Sequence, residues 1–369
     1  MDLLEFILDI VAFIAGISLI LWTLKSAIRT FVLPRGENAW LTRTVFWIMQ
    51  TLFRRGRFNA LTYRERDRRM ALFAPTTLLI LPLVWMFLIL VGFSGIYFAL
   101  GINPYYDAFV ISGSSLMTLG TIPFVPNNIV ITMFQFVESA IGMGVMALLI
   151  SYLPTMYGAF SQREAVVSML EVRAGKPPAM PIFITRLHNI KGLDNMGDTW
   201  TTYEQWFTYL EETHTSLAPL VFFRSPDPER SWVTTAGVIL DTAAFVASSV
   251  DIERQPQAEL CIRAGFLALR SIAGFFQIEY NPSPLADDPI SIDKMEFMEV
   301  YEALYEAGVP LKPDAEQCWK DFAGWRVNYD DTLLQLAMFT MAPYAPWSSD
   351  RSRPTRIRPR DNLFTRLRS

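Results

Sequence analysis

SSLMTLGTIPFVPN, residues 114–127, carries no charge, one glycine and two prolines. It lies between two runs apolar enough to cross a bilayer, 70–100 and 128–154. How this stretch is read decides the fold. It is either a surface loop joining two spans, or backbone that re-enters the membrane and meets a substrate. Just before it, YYDAFVISGSSLM (105–117) is apolar enough to re-enter as a short helix. Non-helical backbone at membrane depth is tolerated only where protein buries it or where it lines a water-filled path. The carbonyls and hydroxyls of a Thr-Leu-Gly-Thr core then need a partner, and a dehydrated cation is the natural one.

The rest of the composition agrees with a membrane setting. The 369 residues are 51% hydrophobic, with a mean hydropathy of +0.25. That is too apolar for an ordinary soluble chain of this size, and it predicts membrane spans plus a soluble part. The formal net charge of −4 conceals a strong segregation. Residues 25–69 hold 11 Lys/Arg against 3 Asp/Glu, residues 71–162 hold no Lys or Arg, and residues 164–349 hold 13 basic against 26 acidic side chains. The final stretch, 350–369, is basic again with seven arginines. Such blocks point to different surroundings for each segment.

Three spans follow. The first is 3–24, about long enough for ~30 Å of hydrocarbon at 1.5 Å per residue. Its acidic start, Asp2 and Glu5, and the lack of a small-residue cleavage site argue against a signal peptide. Glu5 and Asp9 fall one turn apart, as an acidic end at headgroup level or as acids facing a helix bundle. The second span, 70–100, contains Pro75 and Pro82, and the third is 128–154. The excess of basic residues in 25–69 places that segment in the cytoplasm, the N-terminus outside and the chain beyond Arg163 in the cytoplasm. Within 25–69, WLTRTVFWIMQTLFRRGRF reads as an amphipathic helix, lying at the interface or packing on the soluble domain.

The order span, short helix, filter, span resembles the pore of the potassium-channel family. Without gaps, Thr118, Leu119, Gly120, Thr121 and Ile122 fall on the five positions of that family's Thr-Val-Gly-Tyr-Gly filter. Pro126 falls where the family often has proline, and Ser114 and Ser115 fall in the pore helix segment that usually holds hydroxyls. Gly142, in IGMG with Gly144, falls where the family's gating-hinge glycine sits on the inner helix. The resemblance covers about residues 70–160 and implies a tetrameric cation pore. The chain departs from it at Thr121 for the aromatic, Ile122 for the last glycine and Pro123 for the usual Asp. Glycine serves there because it reaches positive φ without a steric penalty, which Ile122 pays, and a residue before proline prefers extended backbone. The expectation is a filter whose inner half, on Thr118 and Leu119, survives while its outer half does not. Potassium selectivity is therefore not implied.

Helix spacing adds candidates. Glu138 is the sole charge in 128–154. An intramembrane carboxylate is costly and normally faces a cavity or a partner. Here it braces the loop through hydroxyls such as Ser114 or Ser115, or it lines the ion path. Met146, Ile150 and Leu153 recur at helical spacing, as an apolar constriction or as subunit or lipid contacts, and Pro154 ends or kinks the inner helix.

From Arg163 the sequence reads helix after helix. SQREAVVSMLEVRAG extends the inner helix and stops at Gly175, and further patterns cover 201–223, 231–249, 257–278, 291–307 and 313–341. SPDPERS reads as a helix start with Asp227 as cap. No βαβ pattern or G-x-G-x-x-G occurs, so a Rossmann-like nucleotide sensor is not expected. Cys261 and Cys318 form no metal or redox motif. His214 with Glu211 and Glu212 reads as a metal set or, more simply, a helix surface, and Asp287-Asp288 as a solvated loop. No enzyme activity, cofactor, metal or nucleic-acid partner is expected.

The reading is an all-α chain: three transmembrane helices with a re-entrant pore loop, then an all-α cytoplasmic domain. Its segments are an N-terminal span (1–24), a basic cytoplasmic loop (25–69), a pore domain (70–160), an acidic cytoplasmic domain (161–349) and an Arg-rich tail (350–369). The expected protein is a homotetramer in the inner (plasma) membrane, meeting lipids and conducting monovalent cations, with the ligand or partner of its cytoplasmic domain unspecified. The alternative is a non-conducting membrane receptor or scaffold built on the same architecture.

Overall fold

The structure of the chain, a computed structural model, describes residues 3–31, 40–55, 61–120 and 128–350. Among these the fold is all-helical, 76% helix with no strand. Two compact units form: one from Met1–Leu61 with Arg69–Gly158, the other from Thr62–Arg68 with Ala159–Ser369. Among the described residues, four helices are long and apolar enough to cross a membrane, as a multi-pass membrane protein requires.

The first unit is built on α1 (Leu3–Phe31), α2 (Trp40–Phe53), α4 (Phe73–Ala99), α5 (Tyr105–Leu116) and the first part of α6 (Ile129–Ala174); α3 (Tyr63–Ala71) precedes α4 in the chain. Helices α1 and α4 meet at two glycines. A Cβ on Gly16 would lie 2.5 Å from the Gly92 carbonyl oxygen, and one on Gly92 would lie 3.0 Å from that of Gly16. Lipid tails are as apolar as leucine, so membrane helices associate by close packing, and small residues permit it. The remaining face of α1 exposes Leu8, Val11, Ile14 and Leu21, while Asp9 is half-buried. Buried hydroxyls turn inward on the backbone, Thr77 on Phe73 O at 2.6 Å and Ser94 on Leu90 O at 2.8 Å. Helix α2 is amphipathic as its sequence reads. Leu41, Val45 and Met49 are buried at four-residue spacing, Phe46 and Phe53 stack edge-on against Phe73, and Trp40, Trp47 and Leu52 are exposed.

The second unit packs α7 (Met180–Asn189), α10 (Pro256–Phe275), α12 (Ala315–Arg326) and α13 (Asp330–Thr340) around α9 (Trp232–Ser249), with α8 (Gly197–Ser216) on α10 and α11 (Lys294–Glu306) on α7 and α12. Helix α9 is apolar on all sides because protein surrounds it: 94% of it is buried. Caps set its neighbours. Asp293 and Glu296 form a reciprocal capping box on α11, and Asp314 accepts from Gln317 N at the start of α12.

Local details differ from the sequence reading. Pro154 lies inside α6 and does not end it. The cap of α9 is Ser231, whose hydroxyl accepts from Val233 N at 3.2 Å. Asp227 instead closes a turn on Glu229 N and pairs with Lys176 Nζ at 2.5 Å. That Lys176 contact holds the Asp227 carboxyl below the usual carboxylate range. The pattern 313–341 is two helices, because Asn328 turns its side-chain amide back on the Gly324 and Trp325 carbonyls and closes α12. Helix α7, between Pro177-Pro178 and Gly192, carries Met180, Phe183, Ile184 and Leu187 on one face; in sequence, the neighbouring breakers mask this short pattern.

Candidate functional site

Glu138 is 0% exposed in the first unit. One carboxylate oxygen accepts from the Tyr97 hydroxyl of α4 at 2.8 Å, and the other lies 2.5 Å from the Ser112 hydroxyl of α5. The Ser112 hydroxyl also faces the Leu90 carbonyl at 3.0 Å. The next residue, Ser139, donates to the Ser115 carbonyl at 2.7 Å. A polar group in apolar surroundings is costly unless it is hydrogen-bonded, so these contacts tie α6 to α4 and α5 at fixed positions. The partners are Ser112 and Tyr97 in place of the expected Ser114 or Ser115. The Ser114 hydroxyl is buried with no partner among the described residues. Sequence reasoning does not single out Tyr97 or Ser112; hydroxyls inside apolar runs are the signal that points to them.

The candidate filter begins where α5 ends. Leu119 N donates to Ser114 O at 2.9 Å and Thr118 N to Ser115 O at 3.2 Å, a Schellman closure with Thr118 at φ 54. The position in such a closure is normally glycine, and a β-branched residue there is strained. Gly120 follows at φ 72, where a side chain would be strained again. Leu119 and Gly120 are exposed. Thr121, Ile122, Pro123 and Pro126 lie outside the described residues.

On α6, Gly142 and Gly144 differ completely. A Cβ on Gly142 would lie 2.2 Å from the Leu116 carbonyl oxygen, whereas one on Gly144 meets nothing within 4 Å. Met146, Ile150 and Leu153 are exposed. They share this outward surface with Met133, Phe136 and Met143, so α6 presents a long apolar face.

The second unit holds two buried polar clusters. Arg163, 0% exposed, donates to the Leu220 and Phe223 carbonyls at 2.9 and 2.8 Å, pairs with Glu164 and approaches His214 Nε2 at 3.4 Å. Burial and the Arg163 charge push the His214 pKa well below its ordinary value. His214 packs its ring on Trp232, so it is a core group and no longer a ligand candidate with Glu211 and Glu212. Arg326 is the second: it binds Asp241, Asp330 and the Trp347 carbonyl, while Tyr329 donates to Asp241 at 2.9 Å. Arg163 and Arg326 are both fully engaged, and their chemistry is structural. Among the described residues no group of three His, Cys, Asp or Glu is placed to hold a metal. Cys261 and Cys318 are free and buried, and burial pushes the Cys261 thiol up. Asp288 braces its loop through Leu285 N and the Asn281 amide.

No family model matches the chain, and no curated protein or solved structure matches it significantly.

Proposed function

We propose that this chain is a potassium-channel-like channel for monovalent cations, potassium-selective or non-selective, working as a homotetramer gated by its second unit. In this reading α1, α4 and the first part of α6 are the three spans. Helix α5 and residues 118–122 form the re-entrant pore loop, the N-terminus lies outside, and the second unit is cytoplasmic. Leaving α9 out of the spans is supported by its burial, 94% within protein, and by its mean hydropathy, 1.2, the lowest of the four candidates. The observation that carries the proposal is the end of α5. A short helix between two apolar helices stops at Thr118-Leu119-Gly120 with positive φ at both Thr118 and Gly120, and a buried carboxylate holds it from behind. Strained backbone of this kind collects at functional sites. Four copies of a pore segment without a Lys or Arg between residues 71 and 162 would favour cations over anions. Helix α6 belongs to both units, which supplies a covalent route for gating. No enzymatic step is part of this function.

The alternative is a non-conducting receptor or scaffold, favoured by Ile122-Pro123 where the resemblance expects glycine and Asp. The test is current through reconstituted bilayers, with reversal potentials read in K⁺ and Na⁺ gradients. Cation current that Gly120→Asp abolishes supports the channel. Silence under every ligand, pH and tension, together with a crosslinked dimer in place of a tetramer, supports the scaffold.

A further inference from the structure

The second unit contains a cleft of about 150 Å³ lined by Tyr63, Arg66, Asp67, Arg224, Met341 and Ala342. Two segments far apart in sequence make it. On α3, Tyr63, Arg66 and Asp67 fall at i, i+3 and i+4 and so share one face. The turn that follows α13 supplies Met341 and Ala342, with Met341 at φ 52. Arg224 ties the two together. Its Nη1 donates to Asp67 Oδ1 at 3.0 Å and to Met341 O at 2.9 Å, and its Nη2 donates to Thr340 O at 2.7 Å.

Those contacts engage Arg224 and pair Asp67, which leaves Arg66 as the charge of the lining without an ion-pair partner among the described residues. The Arg66 Nε is buried and has no hydrogen-bond partner among the described residues. A buried donor left open costs about 1–3 kcal/mol, more when it is charged, unless something from outside the chain completes it. The Tyr63 oxygen accepts from Arg224 Nη1 at 3.5 Å, and among the described residues its own O–H has no acceptor. A cationic N–H and a phenol O–H therefore line one small cleft without an acceptor among the described residues. The cleft has room for several waters or one tetrahedral oxyanion. It is well below the ~300–1,000 Å³ of sites that enclose a drug-sized ligand. An arginine fork matches phosphate oxygens in plane and number, and these charge-assisted bonds are about twice as strong as neutral ones.

We propose that this cleft binds the phosphoryl group of a phosphate monoester, with the Arg66 guanidinium and the Tyr63 hydroxyl as its donors. The rest of the ligand lies outside the cleft. Two sources share this chemistry: a phosphate free in solution, and the headgroup of an anionic lipid. The second has a specific attraction, since α3 carries four arginines against two acids and Arg66 stands seven residues before Phe73, the first residue of the apolar α4. The site does not depend on whether the first unit conducts.

Full-length protein tests this in two arms. In detergent, inorganic phosphate is titrated against chloride at constant ionic strength and the unfolding midpoint is followed. In nanodiscs, binding of phosphatidic acid in phosphatidylcholine is compared with phosphatidylcholine alone. Phosphate or phosphatidic acid should raise the midpoint of the wild type. Arg66→Met should weaken that binding at least tenfold, Tyr63→Phe several-fold, and Arg66→Lys less than Arg66→Met. A response to inorganic phosphate identifies a soluble ligand, and a response to phosphatidic acid alone identifies the headgroup; either supports the site. Circular dichroism checks that each variant folds, and Tyr63→Phe decides alone if Arg66→Met does not. Wild-type protein that responds to neither probe, or folded variants that respond as the wild type does, would overturn the proposal.

Discussion

The Leu116 carbonyl oxygen lies 2.2 Å from the position that a Cβ on Gly142 would occupy. Helix α6 therefore touches the last turn of α5 through bare backbone, and glycine is required there by packing. Gly142→Ala should force the two apart and destabilise the first unit by about 1–3 kcal/mol or more, as overpacking does. Gly144→Ala, with open space around it, should leave the unfolding midpoint unchanged. Thermal melts of both variants in detergent read the difference. A Gly142→Ala protein that melts like the wild type but gates differently would instead mark this glycine as a hinge.

Glu138 predicts a graded series. Glu138→Leu leaves the Tyr97 hydroxyl without an acceptor and deprives Ser112 of one, and each orphaned buried group costs about 1–3 kcal/mol. Glu138→Gln keeps one carbonyl oxygen and should lose less. Tyr97→Phe removes a single bond, about 1 kcal/mol, and should cost almost nothing in a Glu138→Leu background. Equilibrium unfolding of the double-mutant cycle measures the coupling, and additive losses would disprove the shared network.

Thr118 offers a test of strain. It sits at φ 54 in the closure of α5, where glycine carries no steric penalty. Thr118→Gly should stabilise the first unit by about 1 kcal/mol. In the proposed channel the same change removes a filter hydroxyl and should cut or degrade the current. A rise in midpoint together with a loss of current would show stability given up for function.

His214 predicts a dependence on pH. Its folded pKa lies well below 6.5 because it is buried beside Arg163. The unfolded chain then takes up the proton first, so the stability contribution is complete above about pH 6.5 and falls as pH drops from there toward the folded pKa. The slope should be about 1.4 kcal/mol per pH unit. His214→Gln, which keeps an acceptor for Arg163, should flatten it. Chemical denaturation between pH 7 and 5 is the measurement, and an unchanged slope in the variant would assign the effect elsewhere.

Much of the architecture was legible in the chain. Long apolar runs with few charges can bury their length only in lipid or in a protein core, so α1, α4 and α6 stand out at once. The stop at Gly175 follows from local backbone chemistry that a few residues suffice to specify. Helix α7, the break between α12 and α13 and the true cap of α9 were harder. Each depends on a side chain choosing one partner among several, as Asn328 chooses the Gly324 and Trp325 carbonyls.

By itself the sequence determined an all-helical chain with helices long and apolar enough to span a membrane, a charge-free stretch between two of them and a polar second half, because length, hydropathy and charge act locally and additively. Only the tertiary structure decided that Glu138 meets Tyr97 and Ser112, that Gly142 lies under Leu116, that α9 is a core helix, and that Arg224 closes a cleft beside Arg66. Those contacts join residues 26 to 157 positions apart in sequence. Their partners are selected by which helix faces meet, and no local pattern along the chain encodes that meeting.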